Sequence, residues 1–491
     1  METLQRTANR GSISDGGYDI DNSLKFEPDN SEYLKANNTF AYTTPTSRKK
    51  GTVSFWIKRT EIGNNVSGKQ MYIFASSSSA RYSNLGFDEF DNLTLYSGDS
   101  SWNSVSPYTS NKFRDTSAWY HIVIRYDTTD VTASNRLRVY SNGTEVSWAV
   151  APNITQDGVM TYSGMNGPCW HSWGTAESYF SPIKFFGGYL AEAHFVDGQS
   201  LAPTEFGEYD STSGIWKPKE YDGTYGNCGY YLDFADSGNL GDDESGNGFD
   251  FDENNITSAD QATDTPTNNF CTLNPLDNNW ANVPTINEGA TTHMLTSPSV
   301  WRGSSGTIAV SSGKWYWEIK TIYSGGNVYM LGIGSTEYGE VPGSQSPHDV
   351  LNFAGLYLSN SATEGGLFVT DSTGGSVYRN AFNPGANHSA NDIYGFALDL
   401  DSSTQTITFY RNGTNINPSS GAPLDIAGAC SILPVTIRLS IFEREAQCNF
   451  GGYTEFSIAS GNTDENGYGT FEYAPPSGYY ALCTKNLAEY G

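Results

Sequence analysis

The chain has 491 residues, more than one ordinary hydrophobic core organises, so at least two domains are expected. Only 16% of the residues are charged, yet 54 Asp+Glu against 27 Lys+Arg give a formal charge of −27, a field that repels phosphate and anionic lipid and argues against nucleic acid or a polybasic membrane role. The 52 Gly, 32 Tyr, 25 Phe and 11 Trp favour short strands and many turns, and aromatic side chains bury enough area each to build cores from a hydrophobic content of 37%. The fold class expected is all-β.

The opening METLQRTANRGSISDGGYDID lacks the apolar stretch of a signal peptide, and no run of about 18 apolar residues occurs, so neither Sec export nor membrane insertion is expected. Residues 1–21 form an arm too short to fold alone, suited to docking on a neighbouring subunit. Alternation then sets in: GTVSFWIKR places Val53, Phe55 and Ile57 on one strand face. TSAWYHIVIRYDTT separates Trp119, His121, Val123 and Arg125 from Tyr120, Ile122 and Ile124. In RLRVYSNGTEVSW, Asn142-Gly143 predicts a hairpin, because a type I′ turn needs positive φ at both central residues. FFGGYLAEAHFVDGQSL supplies a strand with Tyr189, Ala191, Ala193 and Phe195 on one parity, followed by a helical turn at Pro203 and Thr204.

These pieces, in this order from FWIKR through Trp119-Tyr120-His121 with Asp127 and the Tyr140–Gly143 hairpin to GYLAEAHFVDGQSL, resemble a laminin-G-like, concanavalin A-like jelly roll over about residues 22–235. Residues 236–284, dense in Asp, Gly and Asn, read as an acidic linker. Beyond it, KWYWEIK, LGIG, YGFALDLDSSTQTITFYRNG with its Asn412-Gly413 turn, LPVTIRLS and NFGG resemble a SPRY-like β-sandwich over 285–455, and 456–491 is expected to pack on it. The expectation is two tandem antiparallel β-sandwiches. Their combination, with the ending PPSGYYALCTKNLAEYG, resembles virion proteins of marine tailed bacteriophages. That resemblance implies an external particle component made in the host cytoplasm, a tail fibre or capsid-surface fibre, with a capsid decoration protein without host contact and a polysaccharide depolymerase as the alternatives. Its implied partners are other virion proteins, further copies of itself (a homo-oligomer, with a trimer compatible) and a host cell-surface glycan or protein.

Catalytic signals are thin. In FDEFDNLTLY, Glu89 and Asp91 would share a strand face, but Thr94 stands where the E-x-D-x-x-E arrangement of related hydrolases needs a third acid, so a solvated strand edge is the better reading and no enzyme is expected. The six histidines form no HExxH or zinc-spaced cluster, and His121 and His194 read as core-edge residues. No G-x-S-x-G elbow or P-loop occurs. The acidic stretch around Asp242, Asp243, Glu244, Asp250 and Asp252 offers hard oxygen ligands for a possible calcium ion but lacks EF-hand spacing; a solvated linker explains the same residues. For saccharide, aromatics near loops are the candidates, because sugar C–H faces stack on indole and phenol rings: Trp102, Tyr108, Asn166, Trp170, His171 and Trp173 in the first half, and Tyr338, His348 and Tyr378 in the second. Each could equally anchor its own loop. Of the cysteines, Cys430 and Cys448 fall on neighbouring expected strands and would pair under oxidising conditions; buried thiols are the default.

Overall fold

The computed structural model describes residues 17–36, 44–63, 65–77, 82–97, 107–159, 170–178, 181–277, 284–294, 301–323, 327–336, 352–359, 366–370, 376–380, 388–427, 433–442 and 445–491. Trp102, Asn166, Tyr338, His348, Cys169 and Cys430 lie outside these. The chain divides into two units, one within Gly11–Thr267 and one comprising Asn268–Gly491.

In the first unit, one sheet runs Thr144–Glu145, Leu137–Ser141, Trp119–Asp127, Lys50–Arg59, Gly188–Asp197, Ser23–Phe26 and Gln261–Ala262. The other runs Trp148–Val150, Tyr108–Lys112, Asn92–Ser97, Tyr82–Phe87, Met71–Ser77, Trp170–Trp173, Tyr33–Ala36 and Phe251–Asn254. Every pairing within these two sheets is antiparallel, and the alternating apolar set Val53, Phe55, Ile57, Ile122, Ile124, Leu85, Phe87 and Trp173 fills the core between them. The Asn142-Gly143 turn forms as expected, with φ of 47° and 76°. Alternation in Gly188–Asp197 is interrupted by a bulge between Ala191 and His194, where Glu192 has φ 52°. The expected parity therefore fails there: Leu190, Ala193 and Phe195 enter the core, and Tyr189 faces away with Glu192 and His194.

Residues 236–267 are not a linker. Phe251–Asn254 pairs with Tyr33–Ala36, Gln261–Ala262 pairs with Ser23–Phe26, and Leu240, Phe249, Phe251 and Ile256 join the core. Two fully buried lysines receive the acids of this segment. Lys25 Nζ lies 2.8 Å from Asp260 and 3.0 Å from Glu32, and Lys58 Nζ lies 2.6 Å from Asp264, which also accepts Trp119 Nε1–H at 3.0 Å.

The second unit pairs Thr285–Asn287, Thr292–Met294, Glu445–Asn449, Lys314–Thr321, Ile393–Asp399, Thr406–Arg411 and Thr414–Asn415 in one sheet. Its other sheet contains Arg302–Val310, Val435–Ile441, Asn327–Ser335, Phe353–Ser359, Gly366–Thr370 and Ser376–Asn380. Trp315, Trp317, Phe396 and Phe409 lie in the core between them. The C-terminal segment is tied to this sandwich through Glu318, a buried carboxylate that accepts backbone N–H groups of Glu472 and Tyr473 at 3.0 and 2.8 Å. Burial raises the pKa of Glu318, and the neutral donors around it, Asn449 and Tyr316 among them, offset the desolvation only in part. Cys228, Cys271, Cys448 and Cys483 are buried thiols, and the neighbour that acts on Cys448 is Cys271.

Candidate functional site

Strand Trp170–Trp173 carries three of the residues expected to bind ligand, and its alternation separates them. His171 and Trp173 point into the core and are completely buried; Trp170 lies on the opposite face, half-buried. His171 packs edge-on against Phe74 and Phe195, and its Nδ1 is 3.3 Å from the Tyr230 hydroxyl, which accepts Trp173 Nε1–H at 3.2 Å. Neither His171 nor Trp173 is available to a ligand. A strand of only four residues offers too short a period to be recognised in NGPCWHSWGTAESYF, which reads locally as a loop. Tyr108 opens strand Tyr108–Lys112 and is half-buried, and Tyr378 sits in Ser376–Asn380 opposite Val369.

At His121 and His171, histidine chemistry is closed off by burial. His121 lies 2.9 Å from Ser54 Oγ, the spacing of a nucleophile and its base, but Trp216 Nε1–H donates to His121 Nδ1 at 3.0 Å. Indole is a donor only, so the imidazole proton must sit on Nε2 and is given to Ser54; the serine is an acceptor there, and its proton has no base. Desolvation depresses the pKa of His121, like that of His171, to about 3.

The acids expected to share a strand face lie instead in the turn joining Tyr82–Phe87 to Asn92–Ser97. Asp91, at φ 69°, is buried against the fully buried Arg59 at 3.0 Å and Arg114 at 3.3 Å, and it caps the Gly63 N–H. Glu89 is hydrogen-bonded by Gln70. Asp91 is thus the counter-ion of an interior arginine rather than half of a hydrolytic pair. The calcium candidates are likewise committed to the chain. Asp243 accepts N–H groups of Tyr231, Ser245 and Phe249, Asp250 accepts that of Asp243, Asn239 donates to Asp242, and Asp252 lies in a strand opposite Lys35. Burial and the neighbouring Asp250 raise Asp242, and the charge of Asp233 raises Glu244. Among the described residues, no group of three or more His, Cys, Asp or Glu side chains is arranged to hold a metal ion.

The polar feature that sequence reading missed lies on the outer face of the second sheet. Register brings Tyr96, Asn84, Ala75, Ser172, Lys35 and Asp252 opposite one another across six strands, with Tyr82, Ser77 and Trp170 in the adjacent row. Tyr82 and Tyr96 form an aromatic pair at 6.1 Å, Tyr96 being 42% exposed, and Lys35 Nζ stands 5.6 Å from the Trp170 ring. Over the middle of the row lies a short hairpin, Ala176–Ser178 with Ser181–Ile183. Its Glu177 exchanges two hydrogen bonds with the Asn84 amide (2.9 and 3.0 Å), accepts Ser172 Oγ–H at 2.9 Å and meets Lys35 Nζ at 3.2 Å, all at Oε1 or the backbone. Glu177 is fully buried, and its Oε2 has no hydrogen-bond partner among the described residues. An interior acceptor left unmade costs about 1–3 kcal/mol.

Residues 28–198 match the concanavalin A-like lectin/glucanases superfamily. The match covers the hairpin, Trp170 and both rows except Asp252. Three of the solved structures similar to the chain are as follows. One is a SAP-like pentraxin from Limulus polyphemus, 16% identical with TM-score 0.27 over 38% of this chain and 80% of that one. Another is laminin alpha1 domains LG4-5 from mouse, 11% identical with TM-score 0.28 over 94% and 96%. The third is the SPRY domain of human HERC1, 11% identical with TM-score 0.24 over 38% and 99%. No curated protein matches the chain.

The first sheet of this concanavalin A-like unit carries a second polar cluster on its outer face. The strained bulge residue Glu192 accepts the hydroxyls of Tyr18 at 2.9 Å and Tyr231 at 2.8 Å, and His194 stacks on Tyr231 at 4.3 Å while bonding Tyr225 at 3.0 Å. Burial, and then the Glu192 charge, raise the pKa of Tyr18 and Tyr231, so both stay protonated donors. Because Tyr18 belongs to the N-terminal arm, this cluster fastens the arm's last residues to the sandwich.

Proposed function

We propose that the protein is a non-enzymatic, externally exposed component of a phage particle, a tail or capsid-surface fibre, and that its concanavalin A-like unit holds host-surface saccharide against the sheet face bearing Trp170. The observation that carries this reading is the half-buried Trp170 ring, set in a row with Tyr82 on a face otherwise floored by small and polar side chains. A flat apolar ring with hydroxyl and amide groups beside it is the chemistry of sugar recognition. The virion setting is supported by the ordered resemblance of both halves and by a formal charge of −27, whose self-repulsion keeps multicopy assemblies soluble. Further copies and other virion proteins would be its assembly partners, and many weak contacts would add through effective concentration.

Trp170→Ala is the test, read on a glycan array and by inhibition of adsorption with the isolated protein. Loss of a stacking anchor is expected to weaken saccharide binding by about 2 kcal/mol, roughly thirtyfold. Absence of any saccharide signal for the parent protein, together with no inhibition of adsorption, sinks the reading; a particle that loses stability without the protein while adsorbing normally would point to a decoration role.

A further inference from the structure

The hairpin over the polar row is held by side chains that together recognise one chemical pattern. Lys35 and Ser172 bind a carboxylate oxygen, and the Asn84 amide, a donor and an acceptor in one plane, bonds the Glu177 backbone N–H and C=O beside it, a pair of contacts that two hydroxyls of a sugar can also make. The occupant, Glu177, fits incompletely, because its second carboxylate oxygen is buried without a donor among the described residues. The hairpin is also weakly built. Its strands have three residues each, one of them containing Pro182, and Ile183 is 41% exposed. Left-handed residues bracket it: Gly174 at φ 83° and Lys184 at φ 53°. Register sets the small side chains Ala75, Ser77 and Ser172 between Tyr82 and Tyr96 on one side and Trp170 on the other.

We infer that the Asn84, Ser172 and Lys35 row is a site for a carboxylate-bearing saccharide, filled in the free chain by Glu177 of the protein's own hairpin, which such a ligand displaces. This rests on the saccharide reading above and specifies the ligand class. The row lies in mid-sheet, where neighbouring strands already use the backbone groups, so an extended peptide gains no ladder there, whereas a sugar chain needs only side chains and aromatic faces. From Lys35 to Tyr96 the row crosses four strand spacings, roughly 19 Å, enough for a short oligosaccharide. Exchange of one carboxylate for another leaves the charge at Lys35 balanced.

The test titrates trigalacturonate and galactotriose into the full chain by calorimetry and follows hydrogen exchange at residues 175–183. Trigalacturonate is expected to bind more tightly than galactotriose and to speed exchange of the Glu177 amide, which is bonded to Asn84 in the free protein. Glu177→Gln, which loosens the internal occupant, should tighten trigalacturonate binding about tenfold, and Lys35→Met should lower the acidic-to-neutral affinity ratio below one. If either variant fails to fold, the exchange response of the parent protein decides alone. Binding of galactotriose with no preference for trigalacturonate and no change in hairpin exchange overturns this inference and leaves the saccharide reading standing; binding of neither sugar overturns both. If a peptide of residues 176–183 opens the hairpin and trigalacturonate does not, the ligand class is wrong.

Discussion

Asp264→Ala tests how the acidic segment belongs to the first unit. Its carboxylate is the partner of Lys58 at 2.6 Å, with side-chain exposures of 2% and 0%, and it also satisfies the Trp119 indole. Truncation leaves an ammonium in the interior, and breaking such a buried pair from one side costs about 3–5 kcal/mol. For a unit of roughly 250 residues, where 1 kcal/mol moves the midpoint by about 2 °C, the expected drop is roughly 6–10 °C. Calorimetry of the full chain should show the loss in one transition, that of the first unit. The double variant Lys58→Met, Asp264→Leu, which removes both charges, should recover most of it. A shift below about 2 °C, or a double variant no better than the single one, would refute the assignment of this residue as an interior counter-ion and restore the segment to a solvated connector.

Other expectations follow from the same kind of contact. His171 is held neutral down to about pH 3 in the folded state against 6.5 for a free imidazole, so its contribution is whole above pH 6.5 and is lost as pH falls toward 3. Replacing it by Phe should flatten the pH dependence of unfolding in that window by about 1.4 kcal/mol per pH unit, read as the difference between parent and variant in urea melts; parallel curves would contradict this. Gly143→Ala meets both a φ of 76° and the Trp216 ring 2.4 Å from the new Cβ, so a loss of about 1–3 kcal/mol and altered tryptophan fluorescence are expected. Asp91→Asn should destabilise the first unit through Arg59 by about 3 kcal/mol. Neither the parent nor this variant should release reducing sugar from host polysaccharide, and release by the parent would overturn the non-enzymatic reading.

How much was legible in sequence depended on whether a feature was local. The Asn142-Gly143 and Asn412-Gly413 turns, and the inward set Val53, Phe55, Ile57, Ile122 and Ile124, follow from periodicities spanning a few residues, and the structure contains them. The bulge at Ala191 was invisible because alanine fits either face, so nothing in the hydrophobic pattern marks the place where parity slips. The acidic segment was misread for a related reason. Its composition describes a solvated linker, and what converts it into sandwich is a pair of lysines more than 200 residues earlier, whose burial no local window reveals. The same holds more strongly for the candidate site. A single Glu in GTAES carries no motif, and Lys35, Asn84 and Ser172 come from three separated strands; only the register of those strands lines them up. A site assembled by register is coded in pairings between strands, and a sheet of this kind can therefore change the chemistry its face presents by altering one outward residue per strand without disturbing the alternation that folds it.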